Sequence, residues 1–252
     1  MDAITFKNIF YRGRVVFEDE LIRHYHTEEL LVYYSGNFLQ FKRMPRIDEW
    51  LRAFEYLREF HVKNGQNHVK FLFPENEVIP DELLHTMKSS GFDIGFVELY
   101  VIEPRKFPLA PVTAKINVQK VTEENWQDFA QLNFEVDSKF GEAFAIGKRD
   151  MHERNLNDER FLQLIAYYDN VPAGTVDIII GKNTAEIDGL VVLDSYQKKG
   201  IGTQLQQFVM NEFSDKTVIL VADGEDTPRE MYKKQNYQYR GKKYEALKVF
   251  SD

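Results

Sequence analysis

One segment, residues 185–209, constrains the fold of this chain more than any other. It reads as a strand up to Leu193, a loop with the sequence Gln197-Lys-Lys-Gly-Ile-Gly202, and then an amphipathic helix. Unpaired amides at the start of such a helix, its dipole and two adjacent lysines would together form an anion site, and glycine lets a phosphate approach the backbone closely. Taken alone, however, two glycines after two lysines favour an ordinary turn between a strand and a helix.

The composition limits the chemistry that such a site can perform. The chain has 252 residues and no cysteine, which excludes disulfides, thiolate nucleophiles and cysteine-ligated metal centres. Its 40 Asp and Glu outnumber its 32 Lys and Arg, and the net charge of −8 disfavours general binding to nucleic acid or to anionic membranes. The nucleotide-binding patterns GxxxxGK[ST] and GxGxxG are absent. We therefore expect a globular protein with one local cationic spot at Lys198-Lys199.

A cluster of prolines divides the chain. Pro104, Pro108 and Pro111 are three of its eight prolines, and proline favours an extended connector because it fixes φ and lacks a backbone donor. We predict a first domain over residues 1–105, a linker over 106–112 and a second domain over 113–252, the alternative being a long loop at a sheet edge. Strand and helix patterns alternate on both sides of the linker, which predicts an α/β protein.

The N-terminal part repeats the order of elements found late in the C-terminal part. Its patterns predict a strand at 38–41, a helix at 47–60, a strand at 68–73, a helix at 81–90 and a strand at 96–102. Residues 84–92 align with 229–237, so that Met87 stands opposite Tyr232, and both segments end in a helix stop and an aromatic residue. Shared helix-stop chemistry without ancestry is the alternative. Residues 41–47, at the position of the glycine loop, contain Pro45 and no glycine, which predicts a degenerate copy without a phosphate loop.

The C-terminal part resembles the GNAT superfamily of acyl-CoA-dependent N-acyltransferases. Leu190-Val-Val192, the loop Gln197–Gly202 and the helix from Thr203 match its first signature, and Tyr232 with the stop Asn236-Tyr237 is similar to its second. Asn236-Tyr237 replaces the usual Gly-Phe, and Glu225 stands where many members have an asparagine. The resemblance covers roughly residues 115–252. It implies an α/β (α+β) fold with a mixed, mostly antiparallel sheet flanked by helices and, with the repeat, two related lobes.

The resemblance also implies a mechanism and a set of site residues. In this family an amine attacks the thioester of acetyl-CoA directly, without a covalent acyl-enzyme, which suits a chain without cysteine. Tyr232 is implied to protonate the leaving thiolate, while a core position is its alternative. Backbone groups are implied to bind the pantetheine arm and the pyrophosphate of acetyl-CoA at Leu190, Val191, Val192, Gln197, Lys198, Lys199, Gly200, Ile201, Gly202 and Thr203.

The general base is less defined by the sequence. Glu186 lies fourteen residues before Gly200, a spacing at which some members of the family carry a glutamate base. A strand carboxylate facing solvent is an equal alternative, and Asp188 shares its face as a second candidate. Three further acids lie where the family often builds its acceptor loop, although a solvated acidic face explains them as well: Glu135, Asp137 and Glu142.

The sequence also gives expectations for metal binding, for partners and for location in the cell. The six histidines show no ligand spacing beyond His24 and His26 on one strand face, so we expect no metal. No targeting or membrane segment is evident, and we expect a cytoplasmic protein without nucleic-acid or membrane partners. The expected partner is a small-molecule or peptide amine, and a homodimer is left open. A module that binds acyl-CoA or a partner protein without catalysis is the alternative to the enzyme.

Overall fold

The structure is a computed structural model that describes residues 4–109, 111, 113–224 and 228–250. Within these residues the chain forms one sheet of eleven strands and six α-helices. The strands are β1 (Arg14–Glu18), β2 (Ile22–His26), β3 (Phe38–Phe41), β4 (His68–Leu72), β5 (Asp93–Ile102), β6 (Ile116–Lys120), β7 (Phe161–Tyr168), β8 (Val171–Ile180), β9 (Thr184–Val192), β10 (Thr217–Asp223) and β11 (Gln238–Val249). The helices are α1 (Ile47–Lys63), α2 (Asp81–Ser89), α3 (Trp126–Asp137), α4 (Glu142–Leu156), α5 (Ile201–Glu212) and α6 (Pro228–Lys234).

The sheet is mixed and mostly antiparallel, which confirms the predicted fold class. Its strand order is β1-β2-β3-β4-β11-β5-β10-β9-β8-β7-β6, and only the pairs β3–β4 and β9–β10 are parallel among the pairings described. Strands β1–β5 come from the N-terminal half, and β6–β11 from the C-terminal half. The two halves meet in the middle of the sheet and form two lobes.

The lobes exchange their last strands. The C-terminal strand β11 lies between β4 and β5, and it pairs with β5 from Gln238↔Val101 to Leu247↔Asp93. Strand β5 in turn lies between β11 and β10, paired from Val218↔Ile102 to Asp223↔Val97. Each lobe therefore completes its part of the sheet with a strand from the other half of the chain.

The two lobes share one order of elements, β3-α1-β4-α2-β5 in the first and β9-α5-β10-α6-β11 in the second. The helix stops match as well. Phe92 N donates to Met87 O at 3.1 Å, and Tyr237 N donates to Tyr232 O at 2.9 Å. Gly91 (φ 80°) and Asn236 (φ 65°) supply the left-handed residue of each stop. The predicted relation between the lobes is thus confirmed, with Met87 and Tyr232 at equivalent positions.

Apolar cores lie beneath the helices of each lobe. In the N-terminal lobe, Trp50 and Leu57 of α1 and Met87 of α2 are fully buried against Phe71 of β4. In the C-terminal lobe, α5 buries Ile201, Leu205 and Val209 against β9 and β10. On the opposite face of the sheet, Phe6 packs on Leu99, Val101 and Ile219, so the N-terminal segment covers the seam between the lobes.

The proline-rich stretch is less extended than its sequence predicts. Pro104–Lys106 forms one 3-10 turn, and Phe107 is buried beside Tyr237 in the core of the C-terminal lobe. Ala110 and Val112 lie outside the described residues. The domain boundaries drawn from the sequence stay a prediction. Each predicted domain places one strand, β5 or β11, between strands of the other lobe.

Candidate functional site

The glycine loop lies at the start of α5. Lys198 and Gly200 both have positive φ (60° and 89°), and Gly200 is the N-cap of α5 without a side-chain cap. Lys198 and Lys199 are exposed, and the Lys199 ammonium lies 4.8 Å from the ring centroid of Tyr196. The first amides of α5 therefore lie beside two exposed lysines, as the sequence predicts, while anion binding at this helix start stays a prediction.

The remaining predicted loop residues contribute backbone rather than side chains. Gln197 Nε2 donates to Asp194 Oδ1 at 2.9 Å, so its side chain is turned back on the preceding turn. Ile201 is buried in the core, and Gly202 and Thr203 are half-buried in the first turn of α5. This agrees with a binding mode that uses main-chain amides.

Strands β9 and β10 part next to this loop. Their parallel pairing runs from Thr184↔Thr217 to Ile187↔Leu220 and then stops. Gly189 has φ 59°, a conformation that glycine adopts without strain, and the register of β8 and β9 shifts nearby between Thr175 and Asp177. Beyond this point, Val191 and Val192 pair with β8, whereas the described part of the chain gives the β10 side of Leu190–Val192 no strand partner.

Tyr232 lies on one face of the sheet. It is half-buried on α6, and its ring centroid is 5.1 Å from that of Tyr100 and 5.5 Å from that of Tyr237. Tyr237 OH donates to Gln206 Oε1 of α5 at 2.8 Å, and Tyr100 OH donates to Glu98 Oε2 of β5 at 2.6 Å. These contacts tie the surroundings of Tyr232 to both α5 and β5. Glu225 and Thr227 lie outside the described residues.

Glu186 lies on the other face. Its neighbour Ile187 belongs to the core beneath α5, so by alternation along β9 Glu186 points away from it. Glu186 is 7% exposed, and its Oε2 accepts a hydrogen bond from Phe10 N at 2.9 Å. Burial raises the pKa of Glu186 to about 8. Glu186 is therefore not the solvent-facing strand carboxylate that the sequence left as its alternative, while its role as a base stays a prediction.

Glu186 and Asp188 line a cavity between the lobes. This interlobe cavity has a volume of about 220 Å³, is open to solvent on one side, and is lined by the N-terminal segment and by strands of both lobes. Asp188 and Val221, the residues that follow the last β9–β10 pair, both line it. The cavity therefore begins where the two strands part.

A cluster of charged side chains lies beside the cavity, and the sequence analysis did not predict it. Arg12 Nη2 lies 3.5 Å from Asp188 Oδ2 and 4.0 Å from Asp177 Oδ2, and His152 Nδ1 lies 3.1 Å from Asp177 Oδ2. Burial acts to raise the pKa of Asp177, but His152, Lys148 and Arg12 outweigh it and hold that pKa at about 2. No sequence signal points to Arg12, because it comes from the other end of the chain.

The three acids of the predicted acceptor loop do not line the interlobe cavity. Glu135 and Glu142 are exposed, and Asp137 is half-buried, which raises its pKa. Their role in acceptor binding stays a prediction.

The equivalent loop of the N-terminal lobe contains a carboxylate at the start of its helix. Glu49 Oε2 accepts a hydrogen bond from Arg46 N at 2.9 Å, and the two Glu49 oxygens accept from the Arg43 guanidinium at 2.7 and 2.8 Å. These contacts lower the pKa of the Glu49 carboxyl to about 2. The start of α1 thus carries a carboxylate of the chain itself, paired with the nearby arginines, and Met87 is buried in the core.

Comparison with known proteins identifies the C-terminal lobe. The sequence profile of the GNAT acetyltransferase family matches residues 119–237. The C-terminal lobe is thus a GNAT domain. Residues 4–100 of the chain match a domain of unknown function, DUF5613. No curated protein matches the chain.

Solved structures extend the comparison over both lobes. A functionally unknown conserved protein from Staphylococcus epidermidis is 34% identical to this chain, with a TM-score of 0.90 over 98% of each chain. A GCN5-related N-acetyltransferase from Kribbella flavida has a TM-score of 0.61 at 14% identity, over 93% of this chain and 89% of its own. A tandem GNAT protein from the clavulanic acid biosynthesis pathway has a TM-score of 0.53 at 12% identity, over 85% of this chain and 76% of its own. The last two share the fold of this chain.

The helices and the potential metal ligands of the described residues bear on membranes and metals. Across the parts of the chain that are described, no helix is long and apolar enough to cross a bilayer. The same residues contain no group of three or more potential ligands among His, Asp and Glu that could hold a metal ion. The cytoplasmic location and the partners expected from the sequence stay predictions.

Proposed function

We propose that this protein is an N-acetyltransferase that moves the acetyl group of acetyl-CoA to a primary amine. The parting of β9 and β10 after Ile187 and Leu220 carries the proposal. It leaves a free strand edge that runs toward the anion-binding start of α5 at one end and reaches Glu186 and the interlobe cavity at the other.

The residues along this gap fit acetyl-CoA. The strand edge at Leu190–Val192 suits the amides of a pantetheine arm, which can add to it as an extended chain. The amides of residues 198–203, with Lys198 and Lys199, suit a pyrophosphate. Acetyl-CoA supplies an activated thioester, so the protein's own task is to position the amine and to manage two protons.

Glu186 and Tyr232 lie on opposite faces of the sheet, and each is suited to one of these two proton transfers. With a pKa of about 8, Glu186 accepts a proton from the attacking ammonium in its carboxylate form, which increases as pH rises through that value. The amine nitrogen then bonds to the acetyl carbon while the carbon–sulfur bond breaks. The Tyr232 hydroxyl donates the proton that the leaving sulfur takes up, and the second proton lost by the nitrogen restores the Tyr232 hydroxyl through solvent. The products are an N-acetyl amine and free coenzyme A.

One site per chain is expected. Glu49 fills the start of α1 in the N-terminal lobe, and residues 41–47 contain no glycine. Arg43 and Arg46 are already paired with that carboxylate, so they are not available to a phosphate. These observations support binding of acetyl-CoA to the C-terminal lobe alone.

Release of free thiol from acetyl-CoA in the presence of amines tests the proposal. We expect turnover by the wild type, and a loss in kcat of about 100-fold for Tyr232→Phe with little change in acetyl-CoA affinity. Tyr239→Phe is the matched control, because Tyr239 is an exposed tyrosine on β11. Binding of acetyl-CoA without thiol release for any amine would instead favour a non-catalytic acyl-CoA-binding module.

A further inference from the structure

The interlobe cavity carries an inference about the acceptor, which rests on the proposed acetyl transfer. Asp188 and Val221 line the cavity at the point where β9 and β10 part, and the buried carboxyl of Glu186 lies in its wall. A nitrogen bound here would lie next to both the proton acceptor and the end of the gap. The walls of this cavity therefore determine which amines can react.

The size of the cavity limits the acceptor. Its volume of about 220 Å³ corresponds to roughly seven water molecules at about 30 Å³ each. That is below the range of about 300–1,000 Å³ that is typical of pockets for drug-sized ligands. The part of the acceptor that enters the cavity must therefore be compact.

The walls are rich in aromatic rings from the N-terminal lobe. Those that line the cavity are Phe6, Phe10, Tyr11, Tyr33 and Phe38. The Tyr11 and Phe38 ring centroids are 5.3 Å apart in an edge-to-face arrangement. Apolar side chains of β5 and β10, Val97 and Val221, lie along the same cavity. Such walls favour a flat or branched apolar body by burial of its surface and by ring–ring contact.

The charges disfavour an anionic group on the acceptor. Two cationic side chains line the cavity, and each is already paired: Lys70 Nζ lies 2.9 Å from Glu245 Oε2, and Arg12 bridges Asp188 and Asp177. The side chain of Lys70 is only 10% exposed. A carboxylate or phosphate on the substrate would have to break one of these pairs in a poorly solvated place, which is costly.

We infer that the acceptor is a compact primary amine on an aromatic or other apolar body, without an anionic group. Its nitrogen lies toward Glu186 and Asp188, and its body lies among the rings of the N-terminal segment. In the acetyl transfer to this amine, the nitrogen–carbon bond forms, the carbon–sulfur bond breaks and Glu186 takes a proton of the ammonium group. The N-terminal lobe thereby selects the substrate of a reaction carried by the C-terminal lobe.

A panel of four acceptors tests this inference on the full chain. Thermal shift with acetyl-CoA comes first, followed by thiol release with phenethylamine, phenylalanine, spermidine and a lysine-containing peptide. We expect kcat/KM for phenethylamine to exceed the other three values by roughly tenfold or more. Phenylalanine is the sharpest comparison, because it differs from phenethylamine only by its carboxylate.

A variant that fills the cavity gives a second readout. Val97→Phe is expected to raise the KM for phenethylamine by roughly tenfold while the acetyl-CoA thermal shift is retained, which also reports that the variant is folded. Val249→Phe is the matched control, because Val249 is exposed on β11 and does not line the cavity. An unchanged KM in a folded Val97→Phe protein would overturn the inference.

The outcomes separate this inference from the proposed function. Faster acetylation of phenylalanine, spermidine or the peptide overturns the substrate class and leaves the acetyltransferase in place. Binding of acetyl-CoA without turnover of any of the four amines overturns the substrate class and favours the binding module. Absence of acetyl-CoA binding overturns the proposed function itself.

Discussion

Glu98 of β5 accepts two hydrogen bonds from the Arg229 guanidinium of α6, one of them from Nε at 2.7 Å. Glu98 is 4% exposed, and it also accepts the Tyr100 hydroxyl, whose ring packs on Tyr232. A carboxylate from the N-terminal half of the chain thus anchors the helix that carries the candidate acid of the C-terminal lobe. Glu98 is a positioning residue for Tyr232.

The first prediction concerns this anchor. Glu98→Gln keeps the shape but loses the charge that holds Arg229, so we expect kcat to fall by about tenfold while acetyl-CoA affinity stays within about twofold. Steady-state thiol release and thermal shift measure the two quantities. Glu18→Gln is the control, since Glu18 pairs with Arg23 on the edge strands β1 and β2. Equal losses in kcat and in acetyl-CoA affinity would mean that Glu98 has only a general structural role.

The second prediction concerns pH. Burial raises the pKa of Glu186 to about 8, so its carboxylate form, the one that accepts a proton, increases as pH rises through that value. We expect kcat/KM to rise between about pH 7 and pH 9 with an inflection near 8. Glu186→Gln should abolish this inflection and leave only the limb due to the amine's own titration. An inflection near 8 that persists in Glu186→Gln would assign it to another group.

The third prediction concerns the start of α5. Gly200 has φ 89°, and an alanine there pays about 1 to 2 kcal/mol for the left-handed conformation. We expect Gly200→Ala to weaken acetyl-CoA binding by roughly tenfold, because the first amides of α5 move away from the pyrophosphate. Isothermal titration measures the affinity.

Gly65 provides the matched control for that variant. It has φ 73° at the end of α1, and a Cβ there would meet no atom within 4 Å. Gly65→Ala should lower stability by a similar amount and leave acetyl-CoA affinity unchanged. If both variants bind acetyl-CoA as the wild type does, the loop is not its phosphate site.

The fourth prediction concerns three histidines of the N-terminal lobe. Burial lowers the pKa values of His24, His61 and His68 from 6.5 to about 4, 3 and 4. His61 Nδ1 and His68 Nε2 lie 2.6 and 3.0 Å from carbonyl oxygens, so each of these nitrogens carries a proton in the neutral ring. All three rings are therefore neutral in the folded protein near neutral pH.

Their titration makes the folded protein sensitive to acid. Above about pH 6.5 they are neutral in both states, and their contribution to stability is fully present. Below that value the unfolded chain takes up protons that the folded chain does not, and stability is lost down to the folded pKa values. The loss approaches about 1.4 kcal/mol per pH unit for each histidine.

Urea unfolding at pH 7.5, 6 and 5 measures this loss. His24→Gln should flatten the dependence by about one proton's worth, whereas substitution of the exposed His85 should not change its slope. A slope that is the same in wild type and His24→Gln would contradict the assignment.

Local patterns predicted much of this fold. The helices at 47–63 and 81–89 and the strands at 38–41 and 68–72 lie within a few residues of their predicted bounds, because the spacing of apolar residues reports which face is buried. The loop at 197–202 between β9 and α5 follows from the sequence as well, whereas the left-handed conformation of Gly200 is a finding of the structure. Burial of Glu186 does not, since it depends on Phe10, a residue 176 positions away in the chain. The place of β11 between β4 and β5 was equally hidden, because periodicity carries no information about a strand's neighbours.

The exchange of β5 and β11 has a consequence for biosynthesis. The strand at residues 238–249 leaves the ribosome after all other described strands, yet it fills the central gap between β4 and β5. Until the C-terminal lobe has been made, three strand edges around this gap therefore stay unpaired, one on β4 and two on β5. Such edges invite pairing with other chains, so a nascent chain of this protein is expected to need shielding by chaperones until β11 has been made.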